Sequence, residues 1–364
     1  NNKFMNTGRQ HMRCIFFVLV LLITGTSQTI AQDDQAFKLG TFEDNGIYVG
    51  LVLDDSLVVN LGIANDAVSG NKVDMPADMY GIIEHYDRIR ARLGEIVAAV
   101  FEGDTQPSYV KALIEVKTLP PIMPGIIYNA AANYSAHAAE MSTVRDSLTP
   151  KSAPVPNPIP GIWERTEGDE RQNPYIFLKS SSTVIADGES IVIPPKRNDL
   201  DWECELTAVV GRPASRVAPG DASDYIFGYT LEHDVSDRGG RDDKRMGSDW
   251  FLQKNHDTFG PLGPFIVPKE FIADPHALKQ TLILSGTVMQ DSNTGYMTHD
   301  SFDMLSYISN ILTLRVGDVF AMGSPSGVGM ARENPIYMKD GDVAVCTIEG
   351  IGTLTNPVVA SGSN

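Results

Sequence analysis

Two carboxylates stand two residues apart in Leu200-Asp201-Trp202-Glu203-Cys204-Glu205-Leu206, inside a run that reads as a strand. Side chains alternate faces along a strand, so Glu203 and Glu205 share one face while Cys204 takes the other. Like charges side by side repel unless something neutralises them, and the usual neutraliser is a cation. A third carboxylate, Asp234, follows in Gly228-Tyr229-Thr230-Leu231-Glu232-His233-Asp234-Val235-Ser236. Three oxygen ligands suit a hard divalent ion, magnesium first, with manganese or calcium also suited, and do not suit a thiolate-bound zinc.

Other segments offer chemistry around such an ion. In Asn133-Tyr134-Ser135-Ala136-His137-Ala138-Ala139-Glu140 a histidine and a glutamate are three apart, on one side of a helical turn. A carboxylate bonded to one imidazole nitrogen leaves the other free as a base, although such pairs are also common on plain helix surfaces. Asp234 is followed by Arg238 and Arg241, whose planar forks match the carboxylate of an acid substrate, although the same segment reads equally as a charged, solvated loop. Lys254 is set among apolar and turn residues, where it could act as an electrostatic clamp. His256 reads as a structural or exposed histidine. Gly323-Ser324-Pro325-Ser326-Gly327-Val328-Gly329 lacks the Gly-Lys-Ser/Thr ending of a phosphate loop, but its backbone amides could approach a substrate oxygen.

These residues need a scaffold. Phe37 to Asn60 alternates apolar and polar residues around Asp44-Asn45-Gly46 and Asp54-Asp55, which predicts a small antiparallel sheet with tight turns. Met79 to Val100 carries Tyr80, Ile83, Tyr86, Ile89, Leu93, Ile96 and Val97 at helical spacing, so it predicts an amphipathic helix. Ile126-Ile127-Tyr128 is a short strand. Residues 144–173 are rich in Pro, Ser and charge and read as a long loop, of the kind that is either a functional lid or disordered. Beyond Tyr175 the pattern is short strands: Ile176–Leu178, Ser190–Ile193, Glu205–Val210, Leu282–Met289, Val316–Met322 and Ala344–Ile348, with one clear helix near Ser301 to Leu312. Strands at this density with few crossover helices predict a β-rich α+β fold, not a doubly wound sheet.

The 364 residues suffice for one large or two ordinary domains. Met12-Arg13, the apolar run Cys14 to Ile23 of about ten residues and Thr29-Ile30-Ala31 read as a secretory signal with Gln32 as the mature start. The expected organisation is a leader over 1–31, a small N-terminal domain over 32–120 and a catalytic domain over 121–364, secreted or periplasmic. The run is too short to span a bilayer. Removing Lys3, Arg9 and Arg13 takes the net charge from -17 to -20, which disfavours nucleic acid and anionic membrane surfaces as partners. It does not disfavour a small anionic substrate, because an ion and a few basic residues reverse the field inside a cleft. Cys204 and Cys346 are the cysteines left after the leader; an oxidising compartment would permit one bridge between them, but two buried thiols are the favoured expectation.

Together these pieces resemble the fumarylacetoacetate hydrolase family. Asn133-Tyr134 with His137 and Glu140 matches its catalytic turn, and Phe177-Leu178-Lys179-Ser180-Ser181 is similar to its Phe-x-Lys-Pro-Ser strand, with Ser180 in place of Pro. Trp202–Leu206, Gly228–Asp234, Lys254 with Asp257-Thr258-Phe259, Gln290-Asp291 and Gly323–Gly329 follow in family order over roughly 125–358. Arg241 stands where the family often has glutamine, Asn255 where it has serine, and Ser324 where it has threonine. The resemblance implies a mixed β-sandwich roll with a small N-terminal β/α domain, a homodimer, and a divalent ion on Glu203, Glu205 and Asp234. It further implies His137, Glu140 and Lys254 as catalytic residues, and Tyr134, Lys179, Arg238, Arg241 and Ser324 against the substrate.

The expected reaction is hydrolysis of a C–C bond in a β-diketo acid. His137, oriented by Glu140, would deprotonate a water that attacks the distal carbonyl, and the ion, Lys254 and Arg238 would stabilise the enolate left behind. Decarboxylation or keto–enol isomerisation of a related 2-oxo acid is the alternative within enzymes. A secreted binding protein that kept the fold without turnover is the alternative outside them.

Overall fold

Positive φ at Asn45 and Gly46 (54° and 136°) and at Asp54 and Asp55 (48° and 52°) turns the chain back twice near its start. The result is a meander of β1 (Lys38–Glu43), β2 (Ile47–Leu53) and β3 (Leu57–Asn60), as the turn residues predicted. The computed structural model describes residues 35–103, 106–148, 163, 168–169, 171–242 and 248–362. The expected leader, most of the loop over 144–173, and residues 243–247 lie outside the described residues.

After the short helix α1 (Leu61–Ala67) come α2 (Met79–Glu84) and α3 (Tyr86–Glu102). The predicted single helix over 79–100 is thus two, parted at His85. Asp78 caps the first through its side chain on Gly81 N, and Tyr86, Ile89, Leu93, Ile96 and Val97 bury one face of the second. β4 (Val110–Ala112) and β5 (Lys117–Leu119) return to the meander.

The site's elements follow. β6 (Ile127–Ala131) leads into α4 (Ser135–Leu148). Then come β7 (Tyr175–Lys179), β8 (Val184–Ile185), β9 (Ile191–Ile193), β10 (Leu200–Asp201), β11 (Cys204–Val210), β12 (Ile226–His233) and β13 (Ser236–Asp237). The helix α5 (Trp250–Lys254) precedes β14 (Gly260–Pro268), β15 (Lys279–Leu284) and β16 (Thr287–Asn293). The chain closes with α6 (Ser301–Ile311), β17 (Val319–Ala321), β18 (Val343–Ile348) and β19 (Gly352–Ala360). The stretch Leu282–Met289, expected as one strand, is a hairpin: Ser285 and Gly286 at φ 47° and 84° reverse the chain between β15 and β16.

A 12-stranded mixed sheet runs β4-β3-β2-β1-β14-β12-β11-β17-β6-β7, with β5 on β1 and β8 on β14. A second sheet runs β16-β15-β18-β19-β9. The two pack face to face through Trp202, Cys204, Leu206, Leu231, Leu282, Cys346 and Leu354. This is a β-rich α+β fold. Every residue of β11 and of β12 is buried, so both faces of these strands are covered. One face makes the sandwich core, and the other carries the polar residues of the site. Where the cysteines were expected as separate thiols, Cys204 and Cys346 form a disulfide with Cα atoms 5.5 Å apart. Alternation turns Cys204 away from the carboxylates, straight at the facing sheet where Cys346 points back.

Candidate metal centre and catalytic dyad

β11 and β12 are antiparallel neighbours with Glu205 opposite Glu232. The ladder runs on past the strand ends, where Asp234 N donates to Glu203 O at 2.8 Å. Period-two alternation on both chains therefore brings Glu203, Glu205, Glu232 and Asp234 to one side. Carboxylate oxygens of Glu203, Glu205 and Asp234 lie within 4.8 Å of one another, all three residues buried.

Three buried cations face them. α5, capped by Asp249 on Leu252 N at 2.9 Å, ends at Lys254, whose Nζ bonds Glu203 Oε2 at 2.6 Å and also Asp234 Oδ2. Lys179, at the end of β7, donates to Asp234 Oδ1 at 2.7 Å and Phe259 O at 2.5 Å, and stands 3.5 Å from Glu232. Arg238 donates through Nη2 to Glu203 Oε1 at 2.6 Å and through Nε to Asp201 Oδ2 at 2.8 Å.

The electrostatics are those of a site short of positive charge. Among the described residues, five buried carboxylates (Asp201, Glu203, Glu205, Glu232, Asp234) meet three buried cations (Lys179, Arg238, Lys254), and one divalent ion restores neutrality. Burial, then the charges of Asp234 and Glu203, push the Glu205 carboxyl well above its ordinary range. Burial works against the Glu203 charge too, but Lys254 and Arg238 outweigh it and hold that carboxyl well below 4.5. Lys179 is likewise opposed by burial and raised on balance by Asp234 and Glu232. Burial keeps His233 neutral by lowering it to about 3. Three converging carboxylates, one of them costly to ionise in isolation, are the donor set that a hard divalent ion takes.

The dyad stands beside this cluster. Asn133 fixes the entry to α4: its side chain donates to His299 O and Met322 O, both at 2.8 Å, and accepts from His299 N at 2.9 Å. One turn on, His137 Nδ1 is 2.7 Å from Glu140 Oε1, and the imidazole is buried. Its charge, when present, lowers the Glu203 carboxyl, which places it within electrostatic reach of the triad.

The glycine-rich loop ties these parts together through backbone amides. Gly323 N donates to Glu205 Oε2 at 2.9 Å. Gly327 N donates to both oxygens of Glu140 at 3.2 and 3.1 Å. Gly329 N and Met330 N donate to the two oxygens of Asp201 at 2.6 and 3.1 Å. Glycine is needed for this approach: Gly327 has φ 104°, and a Cβ at Gly329 would strike the carbonyl oxygen of Ile336.

Of the residues singled out from sequence, Glu203, Glu205, Asp234, Lys179, Arg238 and Lys254 meet in one cluster, with His137 and Glu140 alongside. Tyr134 is buried with its hydroxyl donating to Gln280 Oε1 at 2.8 Å. Ser324 is buried and accepts from Gln290 Nε2 at 2.7 Å. The backbone of Arg241 lies in a 3-10 turn over Arg238–Asp242, and its side chain lies outside the described residues. Sequence reasoning missed Asp201 and Glu232. Each precedes an expected ligand by two positions, so the alternation that paired Glu203 with Glu205 was the available signal. Gln280, which reaches the site from the second sheet, carried no local signal, whereas Gln290 was named only through the family resemblance.

The family model for the fumarylacetoacetate (FAA) hydrolase C-terminal domain matches residues 126–359. The mitochondrial oxaloacetate tautomerase Fahd2a of Rattus norvegicus is 41% identical over 188 residues, covering 52% of this chain and 59% of its own length. This chain thus spans about three fifths of that relative. The crystal structure of 2-hydroxyhepta-2,4-diene-1,7-dioate isomerase from Mycobacterium marinum superposes with a TM-score of 0.60 at 27% identity, covering 90% of this chain and all of that one. Maleylpyruvate hydrolase from Sphingobium sp. SYK-6 gives a TM-score of 0.64 at 25% identity, covering 89% of this chain and all of that one.

Proposed function

The chain belongs to the fumarylacetoacetate hydrolase family, and we propose that it is a divalent-metal-dependent enzyme acting on the keto and enol forms of a small anionic 2-oxo acid. The relatives named above include a tautomerase, an isomerase and a hydrolase, reactions that share proton transfer next to a carbonyl. The observation that carries the reading is His137, oriented by Glu140 at 2.7 Å beside the Glu203, Glu205 and Asp234 carboxylates. Glu140 accepts the Nδ1 proton, which leaves Nε2 as the basic nitrogen. Glu203, Glu205 and Asp234 would hold a divalent ion, magnesium or manganese, which would supply positive charge to polarise the carbonyl of a 2-oxo acid. Arg238 and Lys254 add fixed positive charge where negative charge develops on the substrate.

Tautomerisation needs the least machinery: His137 takes a proton from the carbon next to the carbonyl, and the proton returns at oxygen. The 41% identity to an oxaloacetate tautomerase supports this reaction. Hydrolysis of a C–C bond in a β-diketo acid, the reaction expected from sequence, is the second reading. It uses the same residues with a water as the proton donor to His137, and the likeness to maleylpyruvate hydrolase supports it. One experiment separates them. The protein is incubated with Mn2+ and either enol oxaloacetate or an acylpyruvate, in D2O, and followed by absorbance and proton NMR. Tautomerisation gives accelerated enol decay with deuterium at C3, and hydrolysis gives two acids. Absence of any metal-dependent change with either substrate would sink both readings.

We also propose a secreted or periplasmic location, supported by the leader-like 1–31 and by the disulfide between two buried cysteines, which needs an oxidising compartment to form. A homodimer is proposed through the edge strand β7, where Tyr175 and Leu178 are 58% and 53% exposed, near Phe251 at 74%. Light scattering after size exclusion tests it, and a monomer at micromolar concentration would refute it.

A further inference from the structure

Cys204 lies between two of the three candidate ligands, Glu203 and Glu205, and three strands of the facing sheet grip it from behind. Its sulfur is bonded to Cys346 of β18. Its backbone N–H donates to Gln290 Oε1 of β16 at 3.2 Å, and its carbonyl accepts from Gln280 Nε2 of β15. These groups are lined up by sheet register: Leu282 of β15 pairs with Gln290 on one side and with Cys346 on the other. Gln280, two residues before Leu282, shares its face. All four are buried, with Cys204 and Gln280 at 0% exposure and Cys346 and Gln290 at 1%. The glutamines then reach onward, Gln290 Nε2 to Ser324 Oγ at 2.7 Å and Gln280 Oε1 to the Tyr134 hydroxyl at 2.8 Å.

We infer that the Cys204–Cys346 crosslink is a positioning device for the metal centre, fixing Glu203 and Glu205 relative to Asp234. The inference rests on the metal reading above. A strand shift at Cys204 carries both flanking carboxylates with it, while Asp234 stands on the next strand. Ligand geometry tolerates displacements of only about 0.5 Å, and a disulfide confines two backbones more tightly than apolar contact does. The bond spans 142 residues of sequence, so no local element substitutes for it. Its sulfurs are shielded from solvent, which makes the crosslink a permanent part of the folded chain once it has formed.

The test compares wild type with Cys204→Val/Cys346→Ala, which refills most of the sulfur volume, and with Cys204→Ala/Cys346→Val, which places the larger side chain on the other strand. Alkylation of wild type in denaturant followed by peptide mapping should recover residues 204 and 346 in one linked peptide. Mn2+ affinity, read by electron paramagnetic resonance on folded protein, should weaken about tenfold in whichever variant folds, the range seen when outer partners of metal ligands are removed. A purely structural role would lower the melting temperature of the metal-free protein and leave that affinity unchanged. Unlinked cysteines in wild type, or unaltered Mn2+ affinity in a folded variant, overturn the inference alone. A wild type that binds no Mn2+ overturns the metal reading and this inference with it.

Discussion

Asp201 stands between Arg238 and the glycine-rich loop: one oxygen takes the Arg238 Nε–H at 2.8 Å and the other takes Gly329 N–H at 2.6 Å. The carboxylate thus sets where the guanidinium lies while Nη2 bonds Glu203. Asp201→Asn keeps one acceptor and turns an amide donor toward other donors, a mismatch between buried groups. Oxalate, a small dianionic acid, should bind the Mn2+-loaded variant roughly 10- to 100-fold more weakly, with Mn2+ affinity changed much less. Paired calorimetric titrations check this, and equal losses of both affinities would show that Asp201 does not act through Arg238.

His137→Ala should reduce turnover by roughly 10²- to 10⁴-fold, the usual worth of a positioned general base. Mn2+ affinity should stay within a few-fold, because the imidazole is not among the three converging carboxylates. Glu140→Gln should fall in the same direction with a smaller loss, since Gly327 N can still bond the amide oxygen. Steady-state kinetics beside metal titration separates these outcomes.

Glu205→Gln preserves size and removes one charge from the five carboxylates. Chelation of wild type should abolish turnover, and added Mg2+ or Mn2+ should restore it. An ion at about 100 times its dissociation constant should also stabilise the fold by about 2.7 kcal/mol. The variant should lose most of that stabilisation. Thermal or denaturant unfolding with and without metal measures both.

Asp303 in α6 is pushed up by burial, yet His299 Nδ1 at 3.7 Å and the Arg171 hydrogen bond at 2.7 Å outweigh this and hold its carboxyl below 3.8. A folded-state value below the unfolded one gives stability that is present above the unfolded pKa and lost as pH falls through the folded one. Arg171 also bonds Thr298 O at 2.6 Å, next to the loop that Asn133 grips, so this pairing supports the entry to the dyad. Asp303→Asn should cost about 1–2 kcal/mol near neutral pH, with the gap closing as pH falls below the ordinary carboxylate range, through the lowered folded-state value. Denaturant midpoints across that range report it, and a gap independent of pH would exclude the charged pairing as its source.

Local rules made much of the site readable. The meander and its two turns follow from Asn45-Gly46 and Asp54-Asp55, whose side chains tolerate positive φ. Glu203 and Glu205 share a face because strand periodicity is two, and His137 reaches Glu140 because helix neighbours are three apart. The same rules were strained where two signals competed. The helical stripe over 79–100 hides a break at His85, and the apolar residues flanking Ser285-Gly286 hide a hairpin turn.

Residue types and spacing by themselves set the shared face of Glu203 and Glu205, the pairing of His137 with Glu140 and the β-rich class of this chain, because alternation and helical offset act within a few residues. Only the tertiary structure decided what surrounds them. Which sheet faces β11 decided that Cys204 meets Cys346 instead of packing as a lone thiol. The return of the chain from residues 179, 238 and 254 decided that three cations gather on the carboxylates. The same folding set the loop at 323–330 so that its amides reach Glu205, Glu140 and Asp201. Each of these pairings depends on how separate strands stack, and chain separation of 142 residues between the cysteines leaves no trace of that in local pattern.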